Sequence, residues 1–201
     1  MTQQKLNIRL SVLIILIILA AFSRVIPHTA NFSPLGAVGL FGAAWFTKKW
    51  QAFIIPIAAT WLSDLFINNV IYAQYYPRFT WFYEGFHWQY GSYLLITFAG
   101  LLILKKVNFL RVIIAALCSS AIFFLVTNFS CWIGSTTYPQ TMGGLMTCYA
   151  AGIPFLKGTL LGDLFYSGAL FGVFAVAQIG FPVLRLEPKP VMINRYDNSC
   201  Y

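Results

Sequence analysis

Long apolar runs alternate with short polar punctuation along this chain, and the apolar runs can be drawn as six segments: roughly 8–26, 34–47, 51–72, 91–104, 110–129 and 156–180. A bilayer core of about 30 Å takes about 20 helical residues. The first, third, fifth and sixth segments reach that length. The second and fourth are short and must tilt or borrow flanking residues. The second, Leu35–Phe46, could instead be re-entrant. The pattern predicts an all-α integral membrane protein, a bundle of six transmembrane helices. Residues 1–185 form one transmembrane domain and 186–201 a short cytoplasmic tail.

Basic residues give the bundle a direction. Lys5 and Arg9 precede the first segment, Lys48 and Lys49 lie between the second and third, and Lys105, Lys106 and Arg111 lie between the fourth and fifth. Arg185, Lys189 and Arg195 follow the sixth. All of these fall on one side if six helices alternate, whereas only Arg24, Arg78 and Lys157 fall near the other. Excess Lys and Arg marks the cytoplasmic side, so both termini are expected inside. Lys5 and Arg9 ahead of Leu10–Phe22, with Ala20-Ala21 as a weak cleavage site, also fit a signal peptide. We read this stretch as the first membrane helix.

Three loops make the outer face. Pro27–Pro34 carries His28 and Asn31. Ala73–Tyr90 holds nine aromatic residues in eighteen positions, denser than an interfacial belt requires. They suit stacking on a flat ligand or docking of a partner protein. Ser130–Phe155 is apolar in its second half, and a segment near 142–155 is expected to dip into the membrane as a re-entrant piece or to cap the bundle.

Composition agrees with the pattern: 59% of residues are hydrophobic and 9% charged, with a mean hydropathy of +0.74, against about 25% charged in soluble domains. The net charge of +8 is spent on topology, so nucleic acid is not expected as a partner. Among so few charges, two aspartates stand out. They occupy near-identical words, Thr60-Trp61-Leu62-Ser63-Asp64-Leu65-Phe66 and Thr159-Leu160-Leu161-Gly162-Asp163-Leu164-Phe165. A carboxylate near the middle of a membrane helix costs about 2.5–3.5 kcal/mol on insertion scales, so a partner or ligand must offset each. Helical spacing places Thr60, Asp64 and Asn68 on one stripe and Thr159, Asp163, Tyr166 and Ser167 on another. Arg24 ends the first helix near the same level and is a natural counter-ion. The expected outer-half polar pocket contains Arg24, Asn31, Asp64, Asn68, Asn128, Tyr149, Asp163 and Tyr166. The bland alternative is that Asp64 pairs with Arg24 only to hold the bundle together.

Asn31-Phe32-Ser33 recurs as Asn128-Phe129-Ser130, and Ile55-Pro56 as Ile153-Pro154. This faint repeat is equally readable as duplication or as chance among apolar words. Gly36, Ala37, Gly39, Gly42, Ala43 and Ala44 make the second segment small-faced, for packing inside the bundle or for docking another subunit. Cys131 and Cys148 fall on the outer side, where they could form a disulfide or meet a soft metal; Cys118 reads as a core residue and Cys200 as part of the tail. No metal-ligand spacing, phosphate loop or nucleophile motif is present. No metal or cofactor is therefore expected, nor an enzyme, although the aspartate pair could in principle act as acid and base.

Several of these words together resemble a known group. Arg24-Val25-Ile26-Pro27-His28, Asn31-Phe32-Ser33-Pro34-Leu35-Gly36-Ala37, Ser63-Asp64-Leu65, Thr127-Asn128-Phe129 and the stretch from Tyr149 through Ile153-Pro154-Phe155 to Leu161-Gly162-Asp163-Leu164 carry the resemblance. It covers roughly residues 20–175 and points to uncharacterised six-helix membrane proteins of the Bacteroidetes type. Those in turn are similar to the substrate-binding S components of energy-coupling-factor (ECF) transporters. The resemblance implies an outward-facing pocket for a vitamin or similar micronutrient, with a separate transmembrane subunit and ATPase subunits as partners. The rival expectation is an accessory subunit of a larger membrane complex, docked through the aromatic loop and the small-residue second helix.

Overall fold

The computed structural model describes residues 3–185, and every regular element among them is helical. Six helices follow in order: α1 (Gln3–Phe22), α2 (Leu35–Trp45), α3 (Lys49–Phe66), α4 (Phe86–Ile103), α5 (Phe109–Ile133) and α6 (Met142–Gly180). A 3-10 turn, Ser23–Val25, ends the first, and a π-turn, Ile67–Ile71, extends the third. With these turns included, four helices are long and apolar enough to cross a membrane: Gln3–Val25, Lys49–Ile71, Phe109–Ile133 and Met142–Gly180. The segment 186–201, with Cys200, Lys189 and Arg195, lies outside the described residues.

The short helix α2 is the axis of the bundle. Leu35 to Ala43 are all buried, and α2 packs on all five other helices. Eleven residues rise only about 16 Å, so α2 alone falls well short of a bilayer core. Its small residues explain the close approach. A Cβ on Gly36 would sit 2.3 Å from Asp163 Oδ1 and from Ser119 Oγ; one on Gly39 would sit 2.9 Å from Thr97 Oγ1; one on Gly42 would sit 2.8 Å from Pro56 Cγ. The small face therefore packs within the chain. Of the two uses read for this face, packing inside the bundle is the one that its burial by the chain's own helices matches. On the opposite side Phe41 meets Phe171 and Phe174 edge-on, at 5.5 and 5.6 Å between centroids.

Two boundaries also differ from the sequence reading. Helix α6 runs unbroken for 39 residues, so 142–155 is neither a re-entrant piece nor a cap but the first part of that helix. Thr141 starts it by accepting a bond from the Gly144 amide at 3.2 Å, an N-cap of the Ser/Thr kind. Pro154 removes one backbone donor, but contacts with α5 on both sides of it hold the helix: Tyr149 OH donates to the Leu125 carbonyl at 2.8 Å, and Ser120 reaches Asp163. Helix α4 starts at Phe86, so the end of the aromatic loop is helical. It is launched from Gly85, whose φ of +77° suits a residue without a Cβ.

Candidate functional site

Arg24 leaves the end of α1 and points at α3. Its Nη1 donates to Asp64 Oδ1 at 2.6 Å and to Ser63 Oγ at 3.1 Å. Tyr90 of α4 donates its hydroxyl to the other carboxylate oxygen, Oδ2, at 2.7 Å. Both oxygens of Asp64 are thus held by charge-assisted bonds, the strong kind. The stripe predicted on α3 is real: Thr60, Asp64 and Asn68 are all buried. Asp64 is fully engaged by its own chain and lines none of the cavities described below.

Asp163 has a different environment. No cation pairs with it among the described residues. Ser120 of α5 donates to its Oδ2 at 2.8 Å, and Ser119 Oγ lies buried nearby without a hydrogen-bond partner. A void of about 20 Å³ lies against Asp163, Ser119, Gly36, Tyr93 and Thr159, enough for one water. Helix α4 faces both carboxylates, with Tyr90 on Asp64 and, one turn on, Tyr93 in the wall of this void.

The loop before α2 is seated on α6. Asn31 adopts φ +60°, the left-handed region that asparagine tolerates better than most residues. The loop then lies flat on two glycines: a Cβ on Gly158 would sit 2.0 Å from the Ala30 carbonyl oxygen, and one on Gly162 would sit 2.8 Å from the Ser33 amide nitrogen. Tyr166 accepts from Ser23 Oγ at 3.0 Å and packs on Phe32 at 5.5 Å, fixing the same loop from the next turn. Asn31 and Asn128, alike in their sequence words, are therefore unlike in structure, one in a loop and one inside α5. The faint repeat has no structural counterpart here.

Between this loop and α4, α5 and α6 opens a cavity of about 370 Å³. Asn31, Gln89, Thr127, Asn128, Tyr138 and Thr159 supply its polar wall; Phe123, Phe124 and Phe155 supply apolar wall, and Cys131 and Cys148 also face it. The described cysteines, these two among them, are free thiols. Asn128 is pinned by its Nδ2 bond to the Phe124 carbonyl at 2.8 Å, and Gly152 makes room for it. Gln89 is oriented from the aromatic loop, where Tyr83 donates to its Oε1 at 2.8 Å. Burial, reinforced by Tyr93 and Asp64 and opposed by Arg24, pushes the Tyr83 phenol above its ordinary range, so it stays protonated and donating. The cavity shares Phe123 and Thr159 with the void beside Asp163.

Of the eight residues named from sequence, Asn31 and Asn128 line this cavity. Arg24 and Asn31 line a second one of about 410 Å³ under the loop 25–31. Asp64, Asn68, Tyr149, Asp163 and Tyr166 are in the walls of neither; Asp163 lines only the small void, and Tyr149 and Tyr166 tie α6 to α5 and to the end of α1. The sequence reading missed Gln89, Thr127 and Tyr138, which it had only as loop or apolar-segment residues, and Ser119-Ser120. That serine pair, in the middle of the most apolar stretch of α5, was the available signal. Among the described residues no three His, Cys, Asp or Glu side chains converge as a metal site would need.

A family model matches residues 4–184, nearly the whole bundle, and its description is a family of unknown function (DUF6580). The chain belongs to that family. No curated protein and no solved structure matches it.

Proposed function

We propose that this chain is a multi-pass protein of the bacterial inner membrane that binds a small solute from outside, in the manner of an S component. Six helices cross or enter the membrane in alternation, with both termini on the cytoplasmic side. The observation that carries the reading is the 370 Å³ cavity at the end of the bundle away from Arg9 and Lys48. Its volume falls in the range of small-molecule sites, about 300–1,000 Å³. Its wall mixes apolar rings with a few fixed polar groups, which is how such sites combine affinity with orientation.

The wall also states what the solute is like. No charged side chain lines the cavity. Amides, hydroxyls and thiols answer neutral donors and acceptors, and Phe123, Phe124 and Phe155 answer a ring or other apolar body. A neutral or weakly charged heterocycle of vitamin size fits that description. Arg24 and Asp64 then act as structural supports: they fix α1 and α3 and, through Tyr90, the helix that carries Gln89. Energy for uptake, if this chain serves uptake, comes from separate transmembrane and ATPase subunits.

The test is native mass spectrometry of the chain extracted gently from its own membrane. A bound organic mass that disappears in Gly152→Leu, a variant whose side chain pushes Asn128 from its seat in the cavity wall, supports the reading. A wild-type chain that carries only lipid and takes up no candidate vitamin at millimolar concentration sinks it.

A further inference from the structure

A second chamber, at the opposite end of the bundle, holds a buried cation that no anion among the described residues balances. Arg9 of α1 is only 2% exposed, yet its Nε and Nη2 have no hydrogen-bond partner. The Arg9 guanidinium stands over the Phe174 ring, 5.9 Å from the centroid, a cation–π contact that satisfies the charge in part and none of the N–H groups. Trp45 Nε1 is likewise buried without a partner. Arg9 and Trp45 share the wall of a cavity of about 150 Å³ with Asn7, Thr47, Lys48 and Gln51. Two cations, an indole N–H, three amides (Gln3 is the third) and a hydroxyl face that space, and among the described residues no carboxylate does.

A buried guanidinium without an anion is costly, because its desolvation is not repaid. The acidic residues among those described are Asp64, Glu84 and Asp163, and none forms an ion pair with Arg9. The planar fork of an arginine, with two adjacent N–H groups free, matches the oxygens of a phosphate. We propose that this chamber binds a phosphate group, with Arg9 and Trp45 as the buried donors and Lys48 at the mouth. The phosphate belongs either to a membrane lipid or to a soluble ion. Trp45 also walls an apolar groove of about 800 Å³ between α5 and α6, lined by Val112, Ile113, Leu164 and Phe171. An acyl chain attached to the phosphate would have that groove beside it. This site is independent of the solute cavity.

The experiment uses the full chain in a phosphate-free maltoside detergent. One arm titrates inorganic phosphate by calorimetry; the other adds phosphatidylglycerol, and separately diacylglycerol as a phosphate-free control, and reads adducts by native mass spectrometry. Retention of phosphatidylglycerol but not diacylglycerol, weakened at least tenfold in Arg9→Gln, assigns the site to a lipid phosphate. Saturable inorganic phosphate binding with the same loss assigns it to the free ion. Should Arg9→Gln fail to fold, Trp45→Phe and Lys48→Gln each remove one donor and are expected to weaken binding several-fold. No phosphate binding in either arm overturns the proposal, as does binding equal in wild type and variants. Glu187 lies outside the described residues, so Glu187→Gln is run alongside. Binding that appears only in that variant would make the Glu187 carboxylate the partner of Arg9 and also overturn the proposal.

Discussion

Asp64 and Asp163 stand in the same word yet do different work, and the difference lies in what the neighbouring helices bring to them. Asp64 receives a guanidinium and a phenol; Asp163 receives a serine hydroxyl. Removing one member of a buried ion pair typically costs about 3–5 kcal/mol because the other charge is left stranded. Arg24 keeps 19% of its side chain exposed and so recovers some water. Asp64→Asn is therefore expected to destabilise the protein by about 2–3 kcal/mol, seen as a lowered thermal midpoint in detergent. Tyr90→Phe, which deletes one bond to a charged acceptor, should cost about 1.5 kcal/mol. A pair of variants that melt like the wild type would mean that the Arg24–Asp64–Tyr90 cluster does not hold the bundle. Asp163→Asn keeps an acceptor for Ser120 and should leave the midpoint within about 1 kcal/mol. The need for partners was legible in the sequence, because a carboxylate in an apolar helix has to be compensated. The partner of Asp64 from α1 was legible too, since Arg24 was the nearest cation by level. Tyr90 and Ser120 were not, because which face of α4 or α5 turns inward depends on packing that no single segment specifies.

Helices show the same division. Their number and approximate places followed from apolar run length, and α5 differs from its predicted span by a few residues at the end. Misreadings arose where polarity and helix formation part company. Gly143, Gly144 and Thr147 make the start of α6 look like a loop, but Gly144 fits against the Pro139 backbone, the Thr147 hydroxyl donates back to the Gly143 carbonyl, and the helix continues. The glycines give this scale its sharpest test. Gly36→Ala and Gly158→Ala would place a methyl group 2.3 Å from a carboxylate oxygen and 2.0 Å from a backbone oxygen. Overpacking of this kind costs typically 1–3 kcal/mol, and both should lower the thermal midpoint and the yield of folded protein. Gly168→Ala and Gly172→Ala, on the same α6 but with nothing within 4 Å, should leave the midpoint unchanged or raise it slightly, since alanine is the better helix former. Equal behaviour of the two pairs would mean that α6 does not sit against the 30–33 loop as described.

At the scale of the whole molecule, the expected outcome concerns sidedness. Cys131 is exposed and Cys148 buried, both at the end of the bundle away from Arg9. In intact cells carrying Cys118→Ser and Cys200→Ser, a membrane-impermeant maleimide should label Cys131 from the outside. Labelling only after the cells are broken would invert the proposed orientation. The all-helical architecture and the presence of membrane-length helices were readable from the run lengths; the position of the cavities was not, because each draws its wall from several parts of the chain. One rod runs past both chambers. Helix α6, about 58 Å long at 1.5 Å per residue, gives Gly152, Thr159 and Phe155 to the outer cavity and Phe174 to the guanidinium at the other end. A single helix therefore reaches both chambers, and the distance between them is set by the length of one rod.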